Sequence, residues 1–272
     1  MRALLVFATL VCVISMVVVC MASAHHVLGF SEHFTGRTFM SDVSASWRTD
    51  GIPKIIHQIA PKDRSKWPEA WSVCHKTWKD GLAGHEHRLW SDEEDIDRFV
   101  KEKFSDFYPV YASFPNKIQR IDAVRYLILY EYGGIYADMD YCMMKDFTRS
   151  AHISKGKGKA SVTESPHENE KYQNSLMMSP AKHPFWKLVI REIIDYRAGG
   201  GDMANIIAST GPNLIDRVVS RLEGADAGMF NALPSKLFNP SATLRSLDAI
   251  KADNPLTKDA FCVHIGTAAW TE

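Results

Sequence analysis

Apolar and polar positions follow distinct rhythms along the chain. The run Ile52-Pro53-Lys54-Ile55-Ile56-His57-Gln58-Ile59-Ala60 is β-branched and bounded by prolines, which predicts a buried strand. Trp71, Cys74, His75 and Trp78 recur at helical spacing behind Trp67-Pro68, so a helix follows. Residues 86–90 predict a second strand, and Ser91-Asp92-Glu93-Glu94 has the capping-box pattern ahead of Ile96, Phe99 and Val100. The clearest helix is 116–132: Asn116 can cap it, and Ile118, Ile121, Val124, Leu127 and Ile128 make one apolar stripe. Gly133-Gly134 ends it in the left-handed conformation that glycine adopts cheaply. Residues 135–140 then form a short strand running into acid. Further on, Lys155-Gly156-Lys157-Gly158-Lys159 predicts a basic loop, 160–163 and 176–178 short strands, 183–196 and the segment from Gly211-Pro212-Asn213 helices, and 261–265 a late strand. Strand alternating with helix is the rhythm of an α/β domain with a mostly parallel sheet, assigned here to 51–272.

The first residues have no such rhythm. Over 3–24 only Thr9, Ser15 and Ser23 fall outside the apolar set, and none of the 22 residues is charged. A helix of ~20 such residues spans a bilayer core. Arg2 puts positive charge on the flank that stays cytosolic. The expectation is a signal-anchor or signal peptide at 1–24, with Ala22-Ser23-Ala24 as a cleavage site in the second case. Residues 25–50, rich in Ser, Thr and His, read as a stem. The expected protein is single-pass type II with its catalytic domain in the Golgi or ER lumen, or secreted if the segment is removed. Net charge is zero over the 272 residues, with 32 Lys+Arg and 32 Asp+Glu, which argues against a nucleic-acid partner. Beyond the apolar segment Cys74, Cys142 and Cys262 allow one bridge and one free thiol, and none has zinc spacing.

The candidate chemistry gathers behind the central helix. On a strand Asp138 and Asp140 would point to one side, where two carboxylates repel unless a cation lies between them. Carboxylate oxygens suit hard ions such as Mg²⁺ or Mn²⁺, and such an ion can neutralise a departing diphosphate. The pair lies just past a strand, where open α/β sheets bind ligands. Asp122 and Arg125 share one helix face in an apolar stretch, so Arg125 is expected to be buried and paired. Gly133 and Gly134 either cap the helix or let a ligand approach the backbone. His85 and His87 read as a surface strand, His75 as packing, and the Lys155–159 run as a solvated loop that could reach an anionic acceptor or a lipid headgroup.

Three segments together resemble a known family: 52–58 (IPKIIHQ), 120–130 (RIDAVRYLILY) and 132–140 (YGGIYADMD). They are similar to glycosyltransferase family 32, with its DXD-containing sugar-binding region. That family includes Golgi alpha-mannosyltransferases and mannosyltransferases acting on inositol phosphorylceramide. The resemblance runs from about residue 52 to 270. It implies a Rossmann-like GT-A fold flanked by helices, a nucleotide-sugar donor, Mn²⁺ or Mg²⁺, and transfer of a hexose with retention. The donor would be GDP-mannose or a UDP-sugar, and the acceptor a glycan or a sphingolipid. By the same resemblance Asp138, Asp140 and His264 are the metal set, and Asp122 and Arg125 are catalytic and touch the donor sugar. His57, Gln58, Gly134, Tyr136, Asn174 and Trp270 complete donor binding. Many relatives carry an aromatic residue where Ala60 stands, so guanine and uracil both stay open as the base. No carboxylate nucleophile is evident, and front-face substitution without a covalent enzyme intermediate is the expected course. The alternative is a binding or structural protein that keeps the fold without catalysis.

Overall fold

The computed structural model describes residues 51–267, so the predicted anchor, the stem and Trp270 lie outside the described residues. In chain order the elements begin with β1 (Ile55–Ala60), α1 (Glu69–Gly81), β2 (Glu86–Ser91), α2 (Glu94–Lys103), α3 (Tyr108–Ala112) and α4 (Lys117–Tyr132). Then come β3 (Gly134–Ala137), β4 (Tyr141–Met143), α5 (Ala151–Lys155), β5 (Ala160–Glu164) and β6 (Tyr172–Ser179). The remainder is α6 (Pro184–Ala198), α7 (Ile206–Ser209), α8 (Pro212–Ser220), β7 (Phe230–Leu233), α9 (Ser235–Phe238) and β8 (Cys262–His264). A six-stranded sheet has the order β2-β1-β3-β6-β5-β7, and a small second sheet pairs β4 with β8.

The central sheet is mixed and mostly parallel. β1 pairs in parallel with β2 and β3, and β5 with β7, while β6 runs antiparallel between β3 and β5. That reversal brings the start of β6 beside the end of β3, with Leu176 opposite Ala137. No helix among the described residues is long and apolar enough to cross a membrane.

Local chemistry explains most element ends. Asn116 N donates to Gln119 Oε1 at 3.1 Å, closing the start of α4. At α2 the predicted box is rearranged: Ser91 Oγ accepts from Glu94 N at 3.2 Å, but Asp95, not Glu94, receives the Ser91 N–H. Glu94 instead reaches Lys62. α4 is not amphipathic as its stripe suggested. Residues 121–129 are all buried, because the sheet covers one side and α6 the other, with Tyr126 stacked on Trp186 at 6.0 Å. A helix enclosed on both sides is a central core element.

Gly133 has φ 63° but ψ −154°, so it is not a left-handed helical cap; it occupies a positive-φ region that is essentially glycine's alone. A Cβ there would lie 2.4 Å from Ala181 N, and one on Gly134 (φ 91°) would lie 2.5 Å from Ile55 O. Both glycines therefore admit the protein's own backbone, which lets β3 start against β1 directly after α4.

The main core lies on the α1 face of the sheet, where Ile56, Trp78, Ile135, Ala137, Tyr141, Leu176, Met178 and Phe238 pack together. Cys74 of α1 and Cys142 of β4 form a disulfide across 68 residues, and Cys262 is a buried free thiol. On the opposite face His57 is fully buried. Trp90 Nε1 donates to its Nδ1 at 3.2 Å, so Nε2 carries the proton and donates to Gly133 O at 3.0 Å. Both ring nitrogens are used in the neutral form, and burial holds the imidazole down at about 4.

Two outcomes are expected. Removing the bridge by Cys74→Ala with Cys142→Ala lowers unfolding free energy by about 4 kcal/mol, the loop-closure value for this separation, read by denaturant titration. His57 takes a proton near 6.5 when unfolded and near 4 when folded. Its contribution is therefore complete above the unfolded value and lost as pH falls from there towards the folded one. Between pH 7 and pH 4.5 the native chain loses about 2 kcal/mol more stability than His57→Gln, from 1.36 kcal/mol per pKa unit.

Candidate active site

The site is built where α4, the end of β3 and the start of β6 converge. Arg125 is 2% exposed. Its Nη2 lies 3.0 Å from Asp122 Oδ1 and its Nη1 3.4 Å from Asp138 Oδ2. Nη1 also donates to Asn174 O at 2.8 Å, and the guanidinium stacks over the Tyr136 ring at 4.9 Å. Both carboxylates have further donors. Asn174 Nδ2 gives to Asp122 Oδ1 at 3.0 Å, Thr210 Oγ1 to Asp122 Oδ2 at 3.1 Å, and Tyr136 OH to Asp138 Oδ1 at 2.7 Å. Asn174 Nδ2 also donates to Tyr126 OH, which in turn donates to Thr210 O at 2.7 Å.

Asp138 and Asp140 do come together, though not by strand alternation. β3 ends at Ala137, and the aspartates occupy a turn closed by Tyr141 N donating to Asp138 O at 3.0 Å. Met139 between them is buried with Ala60, Trp67 and Trp71. Gln58 Nε2 reaches Asp138 O at 3.4 Å, and His75 Nδ1 lies 2.6 Å from Gln58 Oε1. Asp140 is held from the far end of the chain. Its Oδ1 is 3.1 Å from His264 Nε2, and its Oδ2 accepts from Thr267 N and Oγ1, both at 2.8 Å.

The charges are unevenly placed. Burial pushes Asp122 up to about 6 despite Arg125, and it raises Asp138 as well. Burial acts the same way on Asp140, but the charge and hydrogen bond of His264 together with Thr267 outweigh it and hold Asp140 well below the carboxylate range. His264 moves up: burial works against its charge, and Asp140 more than restores it.

Ligand atoms of Asp138, Asp140 and His264 lie within 4.8 Å of one another. Two carboxylates and one imidazole fit a divalent ion that accepts oxygen and nitrogen, as Mn²⁺ does. The three also form a partly open group, with side-chain exposures of 12%, 8% and 21%.

The structure thus gathers Asp122, Arg125, Tyr136, Asp138, Asp140, Asn174 and His264, with Gln58 at the edge. His57 is not among them; it shares a sheet face with its register partner Tyr136, but its ring contacts Gly133, Trp90 and Tyr132 instead. Gly134 is filled in by Ile55 rather than open to a ligand. Trp270 lies outside the described residues. Thr267, Thr210 and Tyr126 were not singled out by the residue chemistry. Thr210 stands in the Thr-Gly-Pro triplet that opens α8, whereas Thr267 has no pattern around it.

Arg125→Met is expected to lower unfolding free energy by about 3–5 kcal/mol, because Asp122 and Asp138 then stay buried without a counter-charge. Combining it with Asp122→Asn should cost less than the two single losses added, which a double-mutant cycle by chemical denaturation measures.

Residues 68–157, which include both aspartates of the turn, match the family described as the glycosyltransferase sugar-binding region containing DXD motif. Inositol phosphoceramide mannosyltransferase 1 of Schizosaccharomyces pombe is 34% identical over 146 residues, 53% of this chain and 43% of that protein. Mannosyl phosphorylinositol ceramide synthase CSH1 of Saccharomyces cerevisiae is 32% identical over 168 residues, 61% of this chain and 42% of that one. The chain spans about two fifths of the length of these curated relatives. Among solved structures, PaToxG glycosyltransferase is 18% identical with a TM-score of 0.46, covering 74% of this chain and 77% of that one. The chain is thus similar, over residues 68–157, to glycosyltransferases with a DXD-containing sugar-binding region, and over about half its length to the mannosyltransferase relatives.

Proposed function

We propose that this chain is a metal-dependent, retaining hexosyltransferase of GT-A type that moves mannose from GDP-mannose to a glycan or sphingolipid acceptor. The observation that carries this reading is the Asp138–Asp140–His264 group standing beside the Arg125 cluster at the end of β3. The relatives named as inositol phosphoceramide mannosyltransferases support mannose as the sugar and a lipid as the acceptor. Residues 1–24 would hold the domain at the lumenal face of a Golgi or ER membrane, behind the stem at 25–50.

The residues divide the work. A divalent ion bound by Asp138, Asp140 and His264 would neutralise charge building on the departing diphosphate. Thr267 fixes the Asp140 carboxylate through two bonds, so its direction is set before a ligand arrives. Preorganised groups of this kind need no rearrangement as charge develops. Asp122 is buried and held by Arg125, Asn174 and Thr210, which fixes the direction of its carboxylate before a donor sugar arrives. Gln58 and His75 brace the turn through the Asp138 carbonyl. Front-face departure and attack then require no enzyme carboxylate to bond to the sugar.

The test is a donor screen on the full chain in neutral detergent with Mn²⁺. Release of GDP from GDP-mannose is expected, lost with a chelator and reduced about 100-fold or more by Asp140→Asn, the scale of removing one preorganised electrostatic group. Mn²⁺ binding followed by electron paramagnetic resonance should weaken in the same variant. If no nucleotide sugar is bound or hydrolysed and Asp140→Asn changes nothing, the reading fails and a non-catalytic binding protein takes its place.

A further inference from the structure

At the other end of β1 from the aspartates, a cleft of about 540 Å³ opens on the sheet edge. Pockets for small ligands run from about 300 to 1,000 Å³. The chain ahead of β1, the turn after α1, the segment after β4 and the turn after α5 wall it. Lys54 lines it, whereas Gln58, four residues along the same strand, is the residue that touches Asp138. The cleft is therefore separate from the candidate active site.

Its lining has two parts. Leu82, Ile135, Phe147 and Met178 form a buried apolar floor, with Ile52 and Ile153 beside them. The rim carries Lys54, Arg149 and Lys157, all exposed. None of the three makes an ion pair with a described residue. Asp146 is the one acid among the lining residues; Thr148 N and Oγ1 donate to its Oδ1 at 2.8 and 2.7 Å and keep it ionised, so the lining sets three cations against one carboxylate. Three cations around a hollow set up a field that favours an anion. A small hydrated anion would leave the apolar floor unused. A molecule that joins a phosphate to hydrocarbon satisfies both parts at once.

We propose that this cleft docks an anionic lipid, with its phosphate on Lys54, Arg149 and Lys157 and its first hydrocarbon segment against Ile52, Leu82 and Ile153. Lys157 belongs to the basic run at 155–159, whose charge the glycosyl-transfer site does not use. The lipid bound here is not the acceptor, because the cleft opens at the strand end remote from Asp138.

Calorimetric titration of the full chain in neutral detergent tests this with three probes: dihexanoyl phosphatidic acid, dihexanoyl phosphatidylcholine and inorganic phosphate. One phosphatidic acid is expected to bind per chain, at least about tenfold tighter than either other probe. Lys54→Gln with Arg149→Gln and Lys157→Gln should weaken it about 100-fold, taking about fivefold per cation near an anionic lipid. The thermal midpoint and Mn²⁺ binding should stay unchanged. Lys157→Gln alone should weaken binding about fivefold, which keeps the test available if the triple variant does not fold. Equal binding of phosphate would mark a phosphate-only site, and equal binding of phosphatidylcholine would mark apolar partitioning. Either result, or unchanged binding in the variants, overturns the proposal. None of these readouts needs turnover, so the outcome is independent of the donor screen.

Discussion

The arrangement depends on one buried cation. A guanidinium removed from water costs several kcal/mol unless its hydrogen bonds and charge are met nearby. Arg125 meets them with Asp122 from its own helix, Asp138 from the end of β3 and the Asn174 carbonyl from β6. Three elements distant in sequence are thus fixed to one planar group. Its fork geometry makes the fixation directional, which a lysine could not reproduce. Buried ion clusters are often no better for stability than apolar residues of the same volume. Ligand binding, rather than fold stability, is the better account of why these charges are gathered here.

Around that cation the chain is drawn in from both directions. α1 is bonded to β4 by Cys74–Cys142, two residues beyond Asp140, so the aspartate turn cannot drift from the helix that carries His75. β8 then pairs with β4, setting His264 opposite Tyr141 with the two rings stacked at 5.0 Å. The same pairing brings Thr267 onto Asp140 and under the indole N–H of Trp71 at 3.0 Å. Asp140 and His264, 124 apart in sequence, are therefore held together by one small sheet and one disulfide.

Much of this was legible in the sequence, for identifiable reasons. The strand at 52–60, α1, α4 and the aspartate pair announce themselves by β-branching, helical spacing and acids after a strand, all local signals. Arg125 could be placed inside because an Arg amid Val124, Tyr126 and Leu127 has no route to solvent. Non-local facts were not legible. The reversal of β6 depends on what its long buried run pairs with. Which cysteines bond depends on where β4 falls. The turn at 138–140 replaces a strand because Met139 finds a pocket made by Ala60, Trp67 and Trp71. His57 reads as a strand-end ligand in one dimension, yet alternation turns it to the opposite face from Gln58. Thr267 acquires meaning only once β8 closes.

Charge bookkeeping then constrains what the site can bind. Asp122, Asp138 and Asp140 face Arg125 and His264, so even with the imidazole protonated the group is one positive charge short. The protein answers partly by itself: burial lifts Asp122 to about 6, where it takes a proton more readily than a free carboxylate does. A nucleoside diphosphate brought to the same place would add further negative charge, against which stand Arg125, already engaged, and Arg245, whose guanidinium lies beside Gly266 and acts on His264. On the proposed function, a divalent ion held by Asp138, Asp140 and His264 would supply the missing positive charge, and it would need His264 in its neutral form. The buried arginine and a bound divalent ion would be two parts of one electrostatic balance. Arg125 serves Asp122 and Asp138, and the ion would serve Asp138 and Asp140.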